Sequence, residues 1–184
     1  MQARIFEIAL LQRRTLMAKK SKAFAELLRQ QHKGEFEERS INQLIQKVQK
    51  SDFAQNLAGI VTIPKGLPKM SEVLESFVEP YLVLVTTHSQ RDNLFHIAVI
   101  AWNLALMPEK KRQPKLEEIL GELAEKGYQT VGQGSGKIMD ALIARKLKLF
   151  SDNRRYIIEF HFVDTPDSYH LSVAATLTDP FASE

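Results

Sequence analysis

Lys137 follows three glycines in Gly132-Gln133-Gly134-Ser135-Gly136, and a helix start there would aim main-chain N–H groups and an ammonium at an anion. A nucleotide phosphate loop needs a further glycine where Val131 stands and a hydroxyl after the lysine, where Ile138 stands. The expectation is therefore a flexible loop with weak anion binding at most, around Lys137. His161 and His170 form a second constellation. Two alternating runs, 155–163 and 168–177, flank the turn signal Thr165-Pro166-Asp167 and predict a β-hairpin. Pairing Phe162 with Tyr169 and Phe160 with Leu171 gathers Tyr156, Ile158, Phe160 and Phe162 on one face. In that register His161 faces His170 on the outer surface with Glu159 two positions along, so His161, His170 and Glu159 are the only candidate metal ligands. His96 and Asn103, seven residues apart on one helix, are the remaining candidates for acid–base work. A buried pair of this kind more often satisfies backbone carbonyls.

Basic residues offer a different chemistry. Residues 1–33 hold eight Lys/Arg, among them Arg13, Arg14, Lys19, Lys20 and Lys22, against two acids. That segment carries +6 of a total of +3, leaving −3 for the rest. Such an arm can attract phosphates, so sequence-independent nucleic-acid association is one expectation and a solvated helix face the plainer one. Arg145, Lys146, Lys148, Arg154 and Arg155 make a second basic group near Phe150 and Tyr156. With no cysteine, thiolate metal sites, thiol nucleophiles and disulfides are excluded. Hydrolase elbows, zinc-protease helices and calcium loops are also absent, and no cofactor is expected.

The elements that would position these residues come from one stretch above all. Residues 92–107, DNLFHIAVIAWNLALM, leave no continuous polar face, and Pro108 follows. A helix apolar all round must be surrounded, and about 16 residues falls short of the ~20 needed to span a bilayer. It is read as the central helix of a soluble domain, with no membrane contact and no secretory signal, hence cytoplasmic. At 184 residues, 44% hydrophobic and 26% charged, one well-filled core is the default.

Around it the spacing predicts an amphipathic arm over 1–33 that stops at Gly34, and a globular domain over 34–184. Met17-Ala18-Lys19-Lys20-Ser21 also reads as an alternative coding start. Ser40 is expected to cap a helix carrying Ile41, Leu44, Ile45 and Val48. Residues 60–63 form a candidate third strand ahead of the loop 64–68. Ser71 opens a helix that Pro80 kinks or restarts, with 81–85 continuing to His88 as helix. Residues 109–115 are expected as a charged loop, 116–126 as a short helix and 137–150 as another. There is no βαβ alternation, so the fold class is α+β: a mostly helical domain with a C-terminal antiparallel β-hairpin.

The segments Lys69-Met70-Ser71-Glu72-Val73-Leu74 to Glu79-Pro80, Ala101-Trp102-Asn103-Leu104-Ala105-Leu106, Ala144-Arg145-Lys146 to Leu149-Phe150, and Arg154-Arg155-Tyr156-Ile157 resemble a family of uncharacterised small bacterial proteins. The likeness covers about 67–177. It implies a bacterial cytoplasmic domain and carries over no activity and no functional residues. With the polar residues scattered, the functional expectation is a non-enzymatic protein-interaction or self-association module that uses the amphipathic N-terminal helices, with Ile5, Ile8, Leu11 and Phe24 as their apolar stripe. Nucleic-acid binding by the arm is the alternative, followed by an enzyme or metal site at His96/Asn103 or His161/His170.

Overall fold

The computed structural model describes residues 34–56, 66–125, 135–164 and 169–181. The chain divides into two compact units, Met1–Gln43 and Leu44–Glu184. Helix α1 runs through 34–50, followed by a 3-10 turn, Asp52–Asn56. Then come α2 (Met70–Leu82), α3 (His88–Leu106), α4 (Glu109–Glu125), α5 (Ser135–Leu149), β1 (Ile157–Asp164) and β2 (Tyr169–Ala175). The class is α+β, helical with one C-terminal antiparallel hairpin.

α3 is the centre, as its composition demands. It packs against α2, α4, α5 and β1, and buries Leu94, Phe95, Ala98, Ala101, Trp102 and Leu104. Trp102 and Phe77 meet edge to face at 5.3 Å, and Phe150 closes on both rings at 5.6–5.7 Å. The fully buried rings of Trp102 and Phe77 each contribute roughly 1.5–3 kcal/mol by leaving water, and half-buried Phe150 less. No helix among the described residues is long and apolar enough to cross a membrane.

Several local expectations are corrected by packing. Gly34 and Ser40 lie inside α1, not at a helix stop and a cap, and Ser40 is buried there. Pro80 neither ends nor restarts α2, which closes two residues later at Leu82. Residues 83–87 are then turn and loop instead of helix. The break has a clear cause at the far side. Thr87 Oγ1 accepts from Gln90 N–H while Gln90 Oε1 accepts from Thr87 N–H, a reciprocal cap that starts α3 four residues earlier than its apolar run. The charged segment 109–115 is the first half of α4, not a loop. Pro114 is exposed within it, so the missing main-chain bond falls on the solvent side. Residues 60–63, the loop 132–134, Gly127 and the turn 165–167 lie outside the described residues.

The hairpin forms, but in a different register. Phe162 pairs with Leu171, Phe160 with Val173, His161 with Ser172 and Val163 with His170, a shift of two residues that keeps the same faces together. A bulge between Ile157 and Glu159 then turns Ile157 into the core in place of Ile158. Its cause sits on α3. Asn103 Nδ2 donates to Ile157 O at 2.8 Å and Ile157 N–H donates to Asn103 Oδ1 at 2.9 Å. One side-chain amide thus occupies both main-chain groups of the first strand residue. Phe160 and Phe162 go on to pack against Phe95, at 6.3 and 5.2 Å.

Candidate functional site

A set of bonded polar side chains lies where α5 ends and β1 begins. Lys146 follows Met139 and Leu142 at helical spacing, so it falls on the buried stripe of α5. It is 2% exposed. Its Nζ donates to Phe150 O at 2.9 Å and stands 4.5 Å from the Trp102 ring centre. A carbonyl and an aromatic face hold this ammonium, with no carboxylate among the described residues bonded to it. Burial, reinforced by the Arg154 charge and only partly opposed by Asp179 and Asp152, pulls its pKa down to about 8.

Arg155 is similarly committed. Its Nε donates to Thr176 O at 2.9 Å and its Nη1 to Pro68 O at 3.0 Å, tying the strand entry to both flanking segments. Burial lowers its pKa too. Trp102 Nε1 donates to Arg155 O at 2.8 Å, so α3 grips the chain at neighbouring points through Trp102 and Asn103. Arg145 answers a defect created by Pro80. Without an N–H, Pro80 leaves the Ser76 carbonyl without its helical partner. Arg145 Nη2 donates to Ser76 O at 3.1 Å and its Nε to Phe77 O at 3.0 Å. Arg112 performs the same service at the end of α3, donating to Met107 O at 3.0 Å.

Outside this frame lies an open cleft of about 390 Å³, bordered by residues 152–155 and 177–179 with Leu67 and Pro68. Arg154 Nε donates to Asp179, which also accepts Phe181 N–H at 2.9 Å. Burial pushes the Asp179 carboxyl up, but the Phe181 N–H and the Arg154 guanidinium outweigh it and hold the group below the usual range. Apolar Leu67 and Leu177 stand exposed on the rim. Asp152 and Asp179 balance Arg154 and Arg155 in formal charge along its lining.

The residues singled out by sequence are dispersed. Lys137 is exposed in the first turn of α5. Arg13, Arg14, Lys19, Lys20 and Lys22 lie outside the described residues. His161 and His170 share a face of the hairpin but are diagonal, not opposite, because of the register shift. No group of three or more His, Cys, Asp or Glu side chains among the described residues could hold a metal ion. His96, expected buried, is exposed; its Nε2 is 3.7 Å from Asp92, and its ring meets Phe160 edge-on at 4.6 Å. Asn103 is occupied by Ile157, as its plainer reading anticipated. The second basic group is largely consumed by the fold, since Arg145, Lys146 and Arg155 all bond main-chain oxygens. Tyr156 is half-buried against Phe53 and Phe181. What sequence reasoning passes over is Lys146 as a core residue and Asp179 as the partner of Arg154. The first is visible in the spacing 139, 142, 146; the second has no local signal.

Fold and site together define a helical α+β domain whose polar side chains mainly bind its own backbone. No family model, no curated protein and no solved structure matches the chain.

Proposed function

We propose that this protein is a non-enzymatic interaction module that works by self-association. The observation that carries the reading is the corner after α2, where Val83 is 81% and Leu84 70% exposed. Leu84 N–H donates to Tyr81 O at 3.0 Å and Val85 N–H to Leu82 O at 3.3 Å, so a hydrogen-bonded turn presents the pair. Residues 83–87 carry no charge, so a second copy can approach the same corner without like-charge repulsion, as a two-fold contact requires. Such a contact would need more than two side chains, because stable interfaces bury roughly 1,200–2,000 Å² in total. The occupied state of Asn103, Arg145, Lys146 and Arg155 supports a non-enzymatic reading, because each already serves the scaffold.

A bacterial cytoplasmic setting belongs to the same proposal and rests on the sequence resemblance. The concentration of charge in residues 1–33 favours a second reading, sequence-independent nucleic-acid association. The test is sedimentation equilibrium of the full chain from micromolar to submillimolar concentration, with a labelled mixed-sequence oligonucleotide in parallel. Concentration-dependent mass supports self-association. Oligonucleotide binding that weakens with salt, by a chain that stays monomeric, replaces it with the second reading.

A further inference from the structure

Arg155 has more donors than the fold consumes. The residue is 9% exposed, with Nε on Thr176 O and Nη1 on Pro68 O, while Nη2 makes no hydrogen bond among the described residues. Nη2 is not one of the sealed side-chain nitrogens either, so it reaches solvent, and Arg155 lines the open cleft of about 390 Å³. A guanidinium this deep, bonded to carbonyls and to no carboxylate among the described residues, carries an uncompensated charge. Its two scaffold bonds also join the three walls of the cleft, tying 152–155 to Pro68 and to Thr176 at the head of 177–179. The shape is therefore set before a ligand arrives.

The groups around Arg155 decide what that ligand is. Arg154 spends only its Nε, on Asp179, and its side chain is 57% exposed, so its two Nη groups stay available. Asp179 has one oxygen on Arg154 and the other on Phe181 N–H, whereas Asp152 accepts only Ser151 Oγ, at 3.3 Å. Buried Lys146 senses the charges of Arg154, Asp179 and Asp152, so its ammonium lies close behind the same wall. Three cations thus face two carboxylates, an excess of one positive charge. Asn153 Nδ2 adds a donor whose partner is the Met70 thioether at 3.4 Å, a weak acceptor. Leu67 and Leu177 offer apolar surface to water on the rim, beside Pro68.

We propose that this cleft binds a small monocarboxylate with an apolar chain, its carboxylate on Arg155 Nη2 and the Arg154 guanidinium, its chain against Leu67, Pro68 and Leu177. Planar guanidinium forks match a carboxylate, and one negative charge neutralises the excess of the wall. A second negative charge would be left to repel Asp152. The volume stands at the small end of the roughly 300–1,000 Å³ of ligand sites, which suits a short chain. The site is independent of self-association and uses neither Val83 nor Leu84.

The experiment is an amide NMR titration of the full chain at neutral pH with hexanoate, and in parallel with hexanol, acetate and adipate. Hexanoate is expected to shift the amides of 152–155 and 177–179 saturably, with a Kd of about 1 mM or tighter. Hexanol, without the charge, and acetate, without the chain, should each bind about tenfold or more weakly. Adipate, a dianion of equal chain length, should also bind more weakly than hexanoate. Leu177→Asp should weaken hexanoate about tenfold, because it replaces rim surface with a carboxylate while its own position is exposed. Arg155→Lys should weaken it as well; should that variant fail to fold for want of its two cross-links, Leu177→Asp decides. Hexanol or adipate binding as tightly as hexanoate, undiminished binding by Leu177→Asp, shifts centred away from the cleft, or no saturable shift overturns the site.

Discussion

Lys146→Met should make the protein more stable at neutral pH and less responsive to alkali. The methionine keeps an unbranched apolar stem in the space between α5 and Trp102 and removes the buried ammonium. Lowering a lysine from 10.5 to about 8 corresponds, at about 1.36 kcal/mol per pH unit, to roughly 3 kcal/mol of disfavour for the charged form. Two losses offset this. The Phe150 carbonyl gives up a donor, about 1 kcal/mol, and Trp102 gives up its cation, about another 1 kcal/mol. The variant is thus expected to gain about 1 kcal/mol at pH 7.

The sign with pH follows from proton counting. Between 8 and 10.5 the unfolded lysine holds a proton that the folded one has released, so wild-type stability gains a contribution that grows with pH through that window. Below 8 both states are charged and the contribution is flat. The variant lacks it, so its advantage of about 1 kcal/mol should shrink above pH 8, vanish near about pH 9 at about 1.36 kcal/mol per unit, and be reversed by 10.5. Guanidinium unfolding followed by far-UV circular dichroism at a series of pH values measures the difference. A difference between wild type and variant that is constant from pH 7 to 10.5, or that grows in favour of the variant, would refute the reasoning.

Asn103→Leu should cost about 2–4 kcal/mol, because both main-chain groups of Ile157 lose their partner at once; thermal unfolding reads this, and a loss under about 1 kcal/mol would contradict the clamp. Arg145→Met and Pro80→Ala should couple. The alanine restores an N–H for the Ser76 carbonyl, so the arginine should matter less in that background, by about 0.5–1 kcal/mol in a double-mutant cycle. Strict additivity would mean that Arg145 does not repair the proline defect. Val83→Asp with Leu84→Asp should alter folding stability by no more than about 0.5 kcal/mol in thermal unfolding, since both side chains already stand in solvent.

The fold is legible wherever a short stretch of sequence decides its own environment. An apolar run ending at Pro108 fixes α3 as the centre, and strict alternation on both sides of residues 165–167 fixes a hairpin. The register is not legible. Asn103 sets the bulge at Ile158 from a distant helix, and no period within the strands records that. The first half of α4 escapes sequence reading because charge and Pro114 look like loop signals. A proline on an exposed face near a helix start removes a bond that water can replace. The start of α3 escapes it although Thr87 and Gln90 stand at capping-box spacing, because the apolar run draws the boundary at Asp92. As for the site, the roles of Arg145, Lys146 and Arg155 depend on main-chain carbonyls that folding brings to them. A list of basic residues suggests a binding surface where the fold uses them as cross-links.

Sedimentation equilibrium of the full chain beside the Val83→Asp/Leu84→Asp variant tests the central claim most directly. The account predicts that wild-type mass rises with concentration, while the variant stays at the 21.0 kDa monomer with an unchanged melting temperature. A wild type that remains monomeric throughout, or a variant that associates equally well, would contradict it.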